Sequence, residues 1–110
     1  QIQADYITPA PKLNWNDAIR QVFPKDEAGK MIRICLKESG WYSGKPSYNK
    51  NGSFDYGPCQ VNSCHKLKTM TDSEWMKYLD NPINHANEVR KVYLSQGWGA
   101  WVVFNKGLVE

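Results

Sequence analysis

Two acids stand out by type and position: Glu38, near the end of a stretch with helical periodicity, and Asp55, just past a hairpin signal. A pair of carboxyl groups in unlike surroundings can divide acid and base work, one holding a proton for donation while the other stays ionised. Glu38 suits the first task. Met31, Ile34, Cys35 and Glu38 stand at i, i+3, i+4 and i+7, so on a helix the carboxyl closes an apolar stripe, and Lys30, Arg33 and Lys37 take the other side. A glutamate at the inward end of such a stripe is partly desolvated, which disfavours its ionised form and raises its pKa. Asp55 falls on the return strand just past the turn, an unusual place, because strands disfavour aspartate unless it serves a polar groove. Beyond it, Gln60 and Asn62 place two amide side chains at alternating strand positions, where both can face one cleft and bind hydroxyl groups.

These residues need elements to hold them. A short helix is predicted to start near Asn14 or Asn16 and to stop before Pro24. Asp26 reads as the cap of a second helix running to about Ser39, with Gly40 placed for a left-handed stop. Asn51-Gly52, flanked by Tyr48 to Lys50 and Ser53 to Tyr56, predicts a small antiparallel sheet. Thr71 to Glu74 reads as a capping box ahead of Trp75 and Leu79, and Asn81-Pro82 opens a longer helix that ends at Gly97. In the apolar run that follows, Trp98 is expected in the core and Trp101 at the wall of the cleft against Glu38. The expected class is α+β: a mostly helical single domain with a small hairpin sheet, a cleft between the two, and residues 1–15 lying along the surface as an N-terminal segment.

At 110 residues the chain has room for one domain, and 41% hydrophobic with 13% aromatic residues is globular rather than disordered. The net charge of +3 comes from lysines and arginines spread along the chain, not gathered in a run, so no nucleic-acid partner is expected. No apolar run approaches the roughly 18 residues that span a bilayer, so no stable membrane insertion is expected. The first residue is Gln1 and no leader pattern follows it, which suggests a processed chain. Cys35, Cys59 and Cys64 allow one disulfide, with three pairings open. Cys59, Cys64, His65 and His85 fit no familiar zinc spacing, so neither a metal nor a cofactor is expected.

Three segments carry a resemblance: Glu38-Ser39-Gly40-Trp41, the block from Asn49 to Ser63, and Gly99-Ala100-Trp101-Val102. Together they closely resemble the lysozyme-like superfamily. The middle block resembles the NxxGSxDYGxxQxNS hairpin of c-type lysozymes, and Asp55 follows Glu38 by seventeen residues, as in that family. The tail, Gln96 to Trp101, is closer to the lysozyme-like domains of bacteria and phages. The resemblance implies a monomeric, secreted or periplasmic muramidase whose partner is bacterial peptidoglycan, a polymer of alternating N-acetylmuramic acid and N-acetylglucosamine. It implies Glu38 as the acid on the bridging oxygen and Asp55 as nucleophile or charge stabiliser. Trp101 would exclude water, while Asn49, Gln60, Asn62 and the backbone near Ala100 would hold the sugar, with Ser39 beside the acid. A lytic transglycosylase, which needs only the glutamate, and a non-catalytic wall binder are the alternatives. The chain departs from the animal enzymes at Cys64-His65-Lys66, where they carry cleft tryptophans, and it lacks their disulfide framework. Cys35 on the inward helix face and Cys59 in the neighbouring strand could bridge, with Cys59 to Cys64 the open alternative.

Overall fold

The computed structural model describes residues 14–39 and 45–109, so the expectations for residues 1–13, Gly40 and Trp41 lie outside the described residues. Helix α1 (Trp15–Val22) starts at the earlier of the two predicted caps, where Asp17 N–H donates to Asn14 Oδ1 at 2.7 Å. Helix α2 (Lys25–Ser39) begins just before the predicted cap, Asp26. The Pro24 carbonyl accepts the N–H groups of Glu27 and Ala28, both at 3.0 Å. Pro24, which has no N–H to lose, therefore opens the helix, and Asp26 with Glu27 puts negative charge in the first turn, where the helix dipole favours it. On α2, Met31, Ile34 and Cys35 are fully buried, as the stripe requires. Lys30 departs from the expected polar side: its ammonium lies over Trp98 and Phe104, at 4.8 and 4.5 Å from the ring centroids.

Three short strands, β1 (Ser47–Tyr48), β2 (Phe54–Tyr56) and β3 (Val61–Asn62), form an antiparallel sheet in that order. The register sets Asp55 between Ser47 and Asn62. Strand alternation buries Phe54 and Tyr56 and leaves Asp55 on the other face. The turn closes differently from a two-residue Asn-Gly loop. Gly52 N–H donates to Asn49 O at 3.1 Å and Asn49 N–H to Ser53 O at 2.8 Å, which makes a three-residue loop with Gly52 at φ +88°. Gln60 also departs from expectation. It lies before β3, at φ +55°, in a turn closed by its N–H on Gly57 O at 3.1 Å, so it does not alternate with Asn62 along a strand.

Helix α3 (Asp72–Leu79) carries both halves of the predicted capping box, Thr71 N–H to Glu74 Oε1 at 2.8 Å and Glu74 N–H to Thr71 Oγ1 at 3.1 Å. Helix α4 (Pro82–Gln96) is capped by Asn81 and ends at Gly97, and the short α5 (Val102–Asn105) follows a single 3₁₀ turn, Trp98–Ala100. Trp98 is partly buried and packs on the core. A disulfide joins Cys35 of α2 to Cys59 between β2 and β3, which settles the pairing and leaves Cys64 as an exposed free thiol.

Candidate active site

The sheet, the ends of α2 and α4, and the start of α5 enclose a cavity of about 340 Å³. Both acids line it, with Asn49, Gln60 and Asn62 on the sheet side and Ala100 and Trp101 opposite. Of the residues singled out from the sequence, Ser39 alone does not line this cavity. Its hydroxyl donates to Pro58 O at 2.7 Å and to Cys35 O at 3.2 Å, so it fastens the end of α2 to the turn behind the cavity wall.

Glu38 is part-buried, and burial raises its pKa above the usual glutamate range. The Val103 N–H, which donates to Glu38 Oε2 at 3.3 Å, opposes this; the negative charge of Asp55 adds to it, and Lys106 opposes it. The net direction is upward, because desolvation of the charged form is the largest cause. A carboxyl in this state holds its proton to higher pH and can deliver it to an oxygen.

Asp55 is held by amides. Asn62 Nδ2 donates to Asp55 Oδ1 at 2.8 Å and Asn49 Nδ2 to Asp55 Oδ2 at 3.4 Å. The same two amide nitrogens reach Ser53 Oγ, at 3.1 Å from Asn49 and 3.3 Å from Asn62. Asn62 Oδ1 in turn accepts the Cys64 N–H at 2.8 Å, which caps the 3₁₀ turn Ser63–His65. The resemblance assigned these asparagines to the sugar, whereas their side-chain nitrogens donate to the second acid and to Ser53. Gln60 likewise spends one amide bond inside its own turn, from Nε2 to Gly57 O at 2.9 Å. An amide has two donors and an acceptor with two lone pairs, so capacity for a ligand remains at Asn49 and Gln60.

Behind the wall, residues 57–60 are pinned from three sides. Trp101, 5% exposed, donates from Nε1 to Cys59 O at 3.0 Å, Ser39 takes Pro58 O, and Cys59 N–H donates to His85 Nε2 at 3.1 Å. His85 is buried, and burial pushes its imidazole down to about 3 against an opposing contact with the Leu79 backbone. Gly57 lies against that ring, at φ +85°, and a Cβ there would come within 2.5 Å of Cε1. Sequence reasoning considered His85 only as a metal ligand and missed this support, since a lone histidine on an apolar helix face carries no signal for a distant backbone partner. It gave no role to Val92 and Gln96, which line the cavity together with Val61, Cys64, His65 and Val102. Cys59 is bound in the disulfide and so is not a thiolate available to a metal. Compared with known proteins, the chain matches no family model and no curated relative.

Proposed function

We propose that this protein is a muramidase that hydrolyses the β-1,4 bond between N-acetylmuramic acid and N-acetylglucosamine in peptidoglycan, acting outside the cytoplasm as a secreted or periplasmic enzyme. One observation carries the reading. A part-buried glutamate whose pKa is raised by burial shares a cavity, and an electrostatic coupling, with an amide-held aspartate. In the proposed reaction Glu38 gives its proton to the bridging oxygen as the C1–O bond breaks. The Asp55 carboxylate takes up the positive character at C1, by covalent attack or by charge stabilisation. Glu38, now ionised, removes a proton from the incoming water, whose oxygen bonds to C1 and regenerates Asp55. Trp101 supplies the apolar wall that keeps Glu38 dry.

One observation favours a second reading, in which both Asp55 oxygens serve the Asn49 and Asn62 amides and Glu38 works alone. That arrangement suits a lytic transglycosylase, where the muramic acid's own C6 hydroxyl attacks C1. Mass spectrometry of digested peptidoglycan separates the two. Hydrolysis adds one water per cut and leaves reducing muramic acid ends; anhydro-muramyl ends without them would replace the hydrolase by the transglycosylase.

A further inference from the structure

A second, smaller cavity of about 180 Å³ lies beside the first, with His65 lining both. Its volume falls below the roughly 300 Å³ at which pockets begin to hold a whole drug-sized ligand, so it suits a side group of something seated in the larger cleft. Its lining is specific. Trp75 of α3 is 2% exposed, and its Nε1 has no hydrogen-bond partner among the described residues. A buried indole N–H with no acceptor is costly, and the donor is satisfied when a ligand brings a carbonyl oxygen. Glu88 of α4 is 7% exposed, and the Tyr78 hydroxyl and Lys91 Nζ both donate to its Oε2, each at 3.1 Å. Oε1 takes neither of these bonds and retains capacity to accept an N–H. Leu67 and Met70 add apolar surface, Leu67 at the rim with 65% exposure, and Tyr78 stacks on Trp75 with ring centroids 5.8 Å apart.

A carbonyl for Trp75, an N–H for Glu88 and a short alkyl group for Leu67 and Met70 are the parts of one chemical unit. We propose that this cavity is a binding subsite for a secondary amide bearing a methyl group, which extends the catalytic cleft past His65. The inference rests on the peptidoglycan reading above, and that polymer offers the unit twice: as the acetamido group of each sugar and as the alanyl residue that begins the stem peptide.

The test is titration of the ¹⁵N-labelled full chain, following the indole N–H resonance of Trp75, with two probes: chitotriose for the acetamido source and N-acetyl-L-alanine amide for the alanyl source. A saturable downfield shift with either probe supports the subsite, and the probe that produces it identifies the source. Glu88→Gln keeps the side-chain shape but weakens the acceptor, and Leu67→Ala trims the exposed rim without touching the core. Each is expected to weaken the effective probe about tenfold. No indole shift with either probe, or a shift that neither variant weakens, overturns the subsite. Wall cleavage by Glu38→Gln, assayed in parallel, separates the two readings. Cleavage that survives this change sinks the muramidase and leaves the subsite standing on its titration; Glu38-dependent cleavage without an indole shift sinks the subsite alone.

Discussion

On α2 the carboxyl of Glu38 meets the backbone N–H of Val103 at 3.3 Å and an apolar helix face, whereas on β2 the carboxyl of Asp55 meets two side-chain amides within one polar network. The first setting withdraws water and returns little, so the neutral form is favoured. The second surrounds the carboxyl with side-chain hydrogen-bond donors. Two side chains that differ by one methylene thus lie in opposite kinds of surroundings. The disulfide ties these settings together: Cys35 lies one helical turn before Glu38, and Cys59 lies just after β2.

The largest test of this contrast is Glu38→Gln, which keeps the shape and removes the proton. Loss of wall lysis by about 10²- to 10⁴-fold, the range of a general acid, is expected with binding to walls retained. Turbidity clearing and pelleting of wall fragments measure the two, and lysis within a few-fold of the parent would move the donor elsewhere. Next in size is the tie between the walls. Reducing Cys35–Cys59, or replacing both by serine, frees a loop with a sequence separation of 24 and is expected to cost about 3.5 kcal/mol by the chain-entropy relation. Urea unfolding with and without reductant gives this number directly. Little change in midpoint would show that Ser39, Trp101 and His85 hold the turn without it.

Much of this division was legible in the sequence, for reasons that differ by residue. The Glu38 stripe was readable because helical period and apolar spacing are local properties, and the Thr71–Glu74 box and the Asn81 cap were readable for the same reason. Asp55 was readable from its place after the turn, although Gly52 alone, and not Asn51, adopts the left-handed conformation. What was not legible depends on contacts across the chain. The commitment of Asn49 and Asn62 to Asp55 follows from register, which places Asn62 opposite Asp55. Gln60 was misread as a strand residue because Gly57 and Pro58 draw the chain into a turn that ends at Gln60. The support from His85 to Cys59 spans 26 positions and leaves no periodic trace.

That support gives the third test, directed at the sheet wall. His85 titrates at about 3 in the fold against 6.5 in the unfolded chain. The fold therefore favours neutral imidazole, and the associated stability is complete above pH 6.5 and lost progressively as pH falls toward 3. At about pH 5 the loss is expected to reach ~2 kcal/mol, read from urea midpoints across the range. His85→Gln, which retains an acceptor and does not titrate, should flatten this part of the profile. An unchanged slope would assign the acid sensitivity to the carboxyl groups instead.

The smallest effect is the most direct probe of the contrast, because it changes one wall and reads the other. The negative charge of Asp55 helps hold the proton on Glu38, but it ranks behind burial among the causes. Asp55→Asn removes that charge and leaves the burial, so the pKa of Glu38 is expected to fall while staying above the ordinary glutamate value. Carboxyl ¹³C titration measures it in the variant even where activity is lost. In the proposed reaction the same pKa would set the alkaline limb of wall cleavage, since the donor must be protonated, and weakening the Asp55 charge would move that limb to lower pH. A large drop to the ordinary range would make the two acids one coupled pair, with the aspartate rather than the apolar helix face as the main reason Glu38 keeps its proton. No drop would separate them fully and leave desolvation on α2 as the whole cause.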